Sequence, residues 1–152
     1  MSRLLPLLLA GLLGAATSCA PRVTVPQTQI NSAVSVNGRL LTVSLVNAGP
    51  RDLLLKNDCP RPFKLNVLDA AEATRPEIKF GQFQTCVASY LPPLPWRVGE
   101  RISAVVEFPL QLGTRTLEAE ASVNVKLASE GTGSDGFRTI QVNIAPFQVD
   151  IR

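Results

Sequence analysis

Three cysteines and no histidine frame the chemistry open to this chain. Without histidine there is no Ser-His-Asp or Cys-His catalysis, no histidine-ligated zinc or haem, and no histidine pH switch. The cysteines stand at 19, 59 and 86, without the C-x-x-C spacing or further soft ligands of a metal or redox site. Glu118 and Glu120 are two residues apart, so a strand would hold both on one face, where paired carboxylates could share acid and base roles. The same alternation sets that face in solvent beside Lys126, and a solvated strand face is what we expect. Asp52, Asp58, Asp69 and Asp135 fall in turn-forming stretches, where short carboxylates satisfy local backbone donors. Their spacing offers no converging set for calcium, and Ser134-Asp135-Gly136 is turn chemistry with no base beside the serine. No metal and no cofactor are expected.

The amino terminus carries an address. Arg3 precedes an apolar and small-residue block from Leu4 to Ala16, followed by Thr17, Ser18 and Cys19, the order of a bacterial export signal. The block is shorter than the roughly 20 residues of a spanning helix and contains Pro6. Ala16-Thr17-Ser18-Cys19 resembles the lipobox of bacterial lipoproteins. That resemblance implies cleavage before Cys19, diacylation of its sulfur and acylation of the new amino group. Residues 1–18 are then a signal peptide, and the protein is lipid-anchored to a membrane of the cell envelope, outside the cytoplasm. Ordinary cleavage after Ala20 stays open as the alternative. Ala20 to Gln29 has two prolines and no strand-length apolar run, so residues 19–29 read as lipidated cysteine and flexible tether. The tether could extend roughly 30 Å at about 3.3 Å per residue.

Removing the first 18 of 152 residues leaves 134, enough for one domain and one core, over residues 30–152. The leader contains only Arg3 of the 15 basic residues, so the mature part sets 14 basic against 12 acidic. That surplus is small and scattered, and no nucleic-acid partner is expected. With Cys19 consumed, Cys59 and Cys86 remain, and an even pair in an exported chain is most simply a disulfide. It would close 28 residues, worth roughly 3.5 kcal/mol by chain entropy.

These groups need a scaffold, and the pattern is all-β. Ala33–Val36 and Leu40–Val46 flank Asn37-Gly38, whose positive φ angles suit a type I′ hairpin turn. Leu53–Leu55 reads as a short buried strand, and Phe63, Leu65 and Val67 alternate as another. Phe80–Tyr90 is β-prone, and Leu91–Glu100 reads as a rigid proline-rich loop ending in a turn. Ile102, Ala104, Val106 and Phe108 alternate, as do Leu117 through Leu127. Ile140, Val142 and Ile144 form a last strand, resumed after Pro146. Seven or eight short strands without a helical period predict a single immunoglobulin-like antiparallel β-sandwich. The expected core is Leu41, Val43, Leu45, Phe63, Leu65, Val67, Ile102, Ala104, Val106, Phe108, Val123 and Val125.

Three stretches carry a second resemblance: Leu41 to Pro50, Phe63 to Asp69, and Leu94-Pro-Trp-Arg-Val-Gly-Glu100 before a strand. Together they look like the immunoglobulin-like domain of the bacterial intracellular proteinase inhibitor family, over roughly Ala33 to Leu127. Val98-Gly99-Glu100 replaces the Pro-Gly-Glu form of that family's turn. The resemblance implies an immunoglobulin-like fold and the possibility of inhibitor activity, but transfers no inhibitory residue.

Pro92, Pro93, Leu94, Pro95, Trp96 and Arg97 form the candidate interaction loop, because polyproline is displayed at low entropic cost and Trp and Arg are typical anchors. The competing expectation is a crossover whose Trp96 plugs one end of the sandwich. The function expected is a membrane-tethered binding module without catalytic activity and with a protein partner. The alternative is a proteinase inhibitor presenting a rigid loop, either Pro92–Arg97 or the stretch around Cys59-Pro60-Arg61-Pro62. An enzyme would need converging polar groups in a pocket, and the sequence supplies none.

Overall fold

The computed structural model describes residues 29–74, 77–78, 81–82, 91–108 and 113–151. The leader, Cys19 and Cys86 lie outside the described residues. Nine strands are described: β1 (Ile30–Asn37), β2 (Leu40–Asn47), β3 (Leu53–Leu55), β4 (Lys64–Asp69), β5 (Gly81–Gln82), β6 (Leu94–Trp96), β7 (Arg101–Glu107), β8 (Gly113–Leu127) and β9 (Arg138–Ile151). The protein is an all-β sandwich. One layer runs β1-β2-β7-β5. In the other, β8 is central, with β9 along one side and β4 and β3 along the other; β6 lies outside β3. Every pairing is antiparallel. β1, β2 and β7 over β3/β4, β8 and β9 reproduce the A-B-E over C-F-G arrangement of an immunoglobulin-type sandwich.

Nine strands replace the expected seven or eight because β6 is added. β3 and β4, both expected as strands, lie along the same side of β8 as one strand interrupted in the middle: Leu55 faces Val125, the Lys56 N–H donates to the Asn124 carbonyl, and Lys64 then faces Ser122. Register from β3 would put residue 58 at that place, so six additional residues are looped out. The added strand is β6, read from its prolines as loop. Pro95 fits there because β6 is an edge strand, where a missing N–H costs no ladder bond on the open side.

The core matches the alternation. Eleven of the twelve expected residues are buried. Ile102 is the exception and is only partly covered: it faces Leu45, and among the described residues β5 pairs β7 only at Val106 and Glu107. Leu53, Leu55, Trp96, Leu117, Ala119, Ala121, Ile144, Val149 and Ile151 complete the core. β9 passes through Pro146 without ending, because Leu117 faces Phe147 while Ala119 faces Ile144. Glu118 thus opposes both Ala145 and Pro146, a bulge that accommodates a residue with no N–H.

Two local expectations are corrected. The β1–β2 hairpin turns one residue later than Asn37-Gly38: Asn37 faces Leu40, and Gly38-Arg39 form the tip. Gly38 takes φ +56° and Arg39 is tied down by Glu107 and by the Phe108 carbonyl, to which its Nε donates at 3.1 Å. Lys126 lies on the outward side of β8 yet is only 2 % exposed. The loop after β8 folds back over it, so its Nζ donates to the carbonyls of Gly133 (2.5 Å) and Asp135 (3.1 Å) and lies 4.8 Å from the centre of the Phe137 ring.

Candidate functional site

Trp96 belongs to the architecture. It is fully buried, its Nε1 donates to the Glu100 carbonyl at 2.8 Å, and it plugs the sandwich end. This excludes it from the contact surface expected of the Pro92–Arg97 loop. Arg97-Val98-Gly99-Glu100 closes as a β-turn, the Glu100 N–H bonding the Arg97 carbonyl at 3.0 Å, with Gly99 at φ +79° in the position that needs a left-handed backbone. The Glu100 carboxylate accepts from the Arg97 N–H (2.9 Å), and Asp52 accepts from the Val98 N–H (2.8 Å). Gln29 enters at this same end, its carbonyl accepting from the Ala48 N–H at 2.9 Å.

What remains of the candidate loop is displayed. Pro92, Leu94, Pro95 and Arg97 are exposed, and Pro93 is half-buried. The structure joins this loop to the second proline-rich stretch. Asn57 Nδ2 donates to the Pro92 carbonyl at 3.0 Å, so the looped-out segment 57–63, containing Cys59, Pro60, Arg61 and Pro62, stands beside Leu91–Pro95. Arg61 Nη2 reaches back to the Asn57 carbonyl at 3.4 Å. The two segments expected separately are therefore joined into one ridge on the β6 side of the molecule, on which Pro92 and Pro95 are exposed and Pro60, Pro62 and Pro93 half-buried.

Beneath the looped-out segment is a hollow of about 250 Å³, lined by Pro60, Pro62 and Phe63 on one side and by Ser122, Asn124 and Thr139 on the sheet. Lys56 and Lys64 stand at the two ends of the segment, and Lys56 pairs with Asp58 at 2.8 Å. Register positions these groups: Lys64 faces Ser122, and Asn124 faces Thr139, whose hydroxyl donates to Asn124 Oδ1 at 2.6 Å. A second hollow of about 400 Å³ lies at the bulge, between Glu118, Glu120, Asn143 and Pro146. Glu118 and Glu120 are there on one outward face as expected, but half-buried rather than freely solvated.

The turn aspartates divide. Asp69 is 1 % exposed; it accepts from the Ala71 N–H (3.0 Å) as a local turn and pairs with Arg115 at 3.0 Å. Asp52 instead bridges to a residue 46 positions away. Among the described residues no group of three or more metal-ligating side chains converges. Sequence reasoning missed the hollow because it is created by an interruption within a strand, which no periodicity announces. The breaker cluster Asp58-Cys-Pro-Arg-Pro62 was the available signal.

The chain matches no protein-family model, no curated protein and no solved structure.

Proposed function

We propose that this protein is a lipid-anchored interaction module of the cell envelope, held outside the cytoplasm by acylated Cys19 and a short tether, with no catalytic role. One observation carries the reading: two proline-rich segments, far apart in sequence, are fastened by the Asn57–Pro92 hydrogen bond into one displayed ridge. Prolines present a contact surface that is already rigid, so a partner pays little ordering entropy on docking. A Cys59–Cys86 disulfide belongs to the proposal; its support is the even pair that remains in an exported chain once Cys19 is consumed.

The test is capture from envelope extracts with the chain from Ala20 onward, which contains every strand of the sandwich. Pro92→Ser/Pro93→Ser and Asn57→Ala variants should lose the captured protein while melting as cooperative folds. Equal capture by all variants would remove the ridge from the interaction. In the anchored protein, Cys19→Ala should abolish partition into detergent. A wild-type protein that is fully soluble, with its amino terminus at Pro21, would overturn the anchor.

The proteinase-inhibitor reading keeps one observation in its favour. Pro60-Arg61-Pro62 is looped out of its sheet, whereas Leu94–Trp96 is zipped onto β3. An inhibitor would therefore use the former. Arg61→Ala would then abolish inhibition of a trypsin-like enzyme, and a wild-type protein without inhibition would dispose of that reading.

A further inference from the structure

We propose that the hollow beneath the looped-out segment 57–63 binds a carboxylate, and that the carboxylate is an acidic side chain of an extended peptide lying on the proline ridge. This rests on the ridge being the docking surface. The hollow is a mismatch of donors over acceptors. Lys64, Ser122 and Asn124 line it, and the Lys64 ammonium, the Ser122 hydroxyl and the Asn124 amide nitrogen make no hydrogen bond to another described residue. Asn124 offers its NH₂ because its oxygen already accepts from Thr139. Among the described residues Asp58 is the one acidic group in the lining, and Lys56 pairs with it at 2.8 Å. The remaining charge is positive, and the free groups are those that bond to a carboxylate with charge assistance.

Size and surroundings narrow the ligand. A volume of about 250 Å³ lies below the roughly 300 Å³ of a site for a whole drug-sized molecule, so the hollow takes one group of something larger. Pro60 and Pro62 wall it and continue, through the Asn57–Pro92 bond, into the ridge. An extended segment on the ridge would deliver one side chain downward, into Lys64, Ser122 and Asn124.

The experiment is an NMR titration of the chain from Ala20 to Arg152 with acetate and with end-blocked pentapeptides of glycine centred on Glu, Gln or Lys. The Glu peptide should shift the Asn124 side-chain amide and the Ser122 backbone amide, and the Gln and Lys peptides should not. Lys64→Glu should weaken the Glu peptide by about tenfold or more, and Lys64→Gln by less; Lys64 is exposed, so both variants keep the fold. Equal shifts by Glu and Gln peptides, or indifference to Lys64→Glu, overturn the proposal. Acetate binding as tightly as the Glu peptide assigns the hollow to free small carboxylates and overturns the peptide assignment. Envelope capture by Lys64→Glu at wild-type strength would sink the hollow's role and leave the interaction module standing. Peptide binding without any captured protein would sink the module instead.

Discussion

Asn47 and Trp96, 49 residues apart, are joined inside the sandwich by a hydrogen bond from Asn47 Nδ2 to the Trp96 carbonyl at 3.1 Å. The same amide donates to the Arg51 carbonyl (2.9 Å), and its oxygen accepts from the Gly49 N–H (3.2 Å). The Asn47 backbone bonds the Glu100 carbonyl and the Gly99 N–H. One fully buried residue thus ties the end of β2 to the turn after it and to β6 through its side chain, and to the turn that leads into β7 through its backbone.

Removing that side chain leaves buried groups unpaired, which costs more than a hydrogen bond is worth when made. Asn47→Ala should lower stability by about 2–4 kcal/mol in urea melts. Trp96→Phe keeps most of the apolar bulk but takes from the Glu100 carbonyl one of its two donors, the other being the Asn47 N–H, and should cost about 1–2 kcal/mol. Asn66→Ala, on the outward face of β4, is the control. Equal midpoints for Asn47→Ala and Asn66→Ala would mean that the end of the sandwich is held by something other than Asn47.

Lys126 gives a second test. A solvated lysine on a strand could become alanine within about 0.5 kcal/mol. Here the ammonium is capped by two carbonyls and the Phe137 ring, and its stem is covered by the loop that supplies them. Lys126→Ala should cost about 1.5–3 kcal/mol and make Ser129–Gly136 the first site of proteolytic nicking. Lys126→Met restores the stem without the charge and should recover part of the loss. Unchanged nicking in Lys126→Ala would mean that the loop is pinned elsewhere.

Period-2 alternation found the strands and the inward set, because burying one face is what selects register. Leu45 and Leu65 are buried in their intended layers, and Leu45→Ala or Leu65→Ala should cost about 2–4 kcal/mol through lost burial and a residual cavity. What alternation could not supply is what happens over the outward face. Lys126 reads as solvated on its strand, and only the return of a distant loop buries it. Trp96 likewise offered two readings, anchor or plug, which are the same residue until the tertiary fold chooses. The hollow at Ser122 and Asn124 needed a fact absent from any local pattern: β3 and β4 are one strand with a segment looped out.

The hairpin correction predicts an asymmetry. With Gly38 at positive φ, Gly38→Ala places a Cβ in a left-handed backbone and should cost about 1–2 kcal/mol, although nothing lies within 4 Å of that Cβ. Asn37 is an exposed ladder residue facing Leu40, and Asn37→Ala should stay within about 0.5 kcal/mol. If Asn37→Ala loses as much as Gly38→Ala in thermal melts, the turn is centred on Asn37-Gly38 after all.

The proposed Cys59–Cys86 bridge sets the last test. It would close 28 residues and stabilise the fold chiefly by restricting the unfolded chain, at roughly 3.5 kcal/mol. Because the bridge is one bond, Cys59→Ser, Cys86→Ser and the double variant should all lose the same amount, about 2–4 kcal/mol. Protein taken from the envelope should resist thiol alkylation at both positions until reduced, and reduction should lower its urea midpoint to that of the double variant. Cys59 also begins the proline run that walls the hollow, so the single variants should weaken binding of the Glu-centred peptide as well as the fold. Two alkylated thiols in protein from the envelope would exclude the bridge and require the segment 57–63 to be held by the Asn57–Pro92 bond and its own packing.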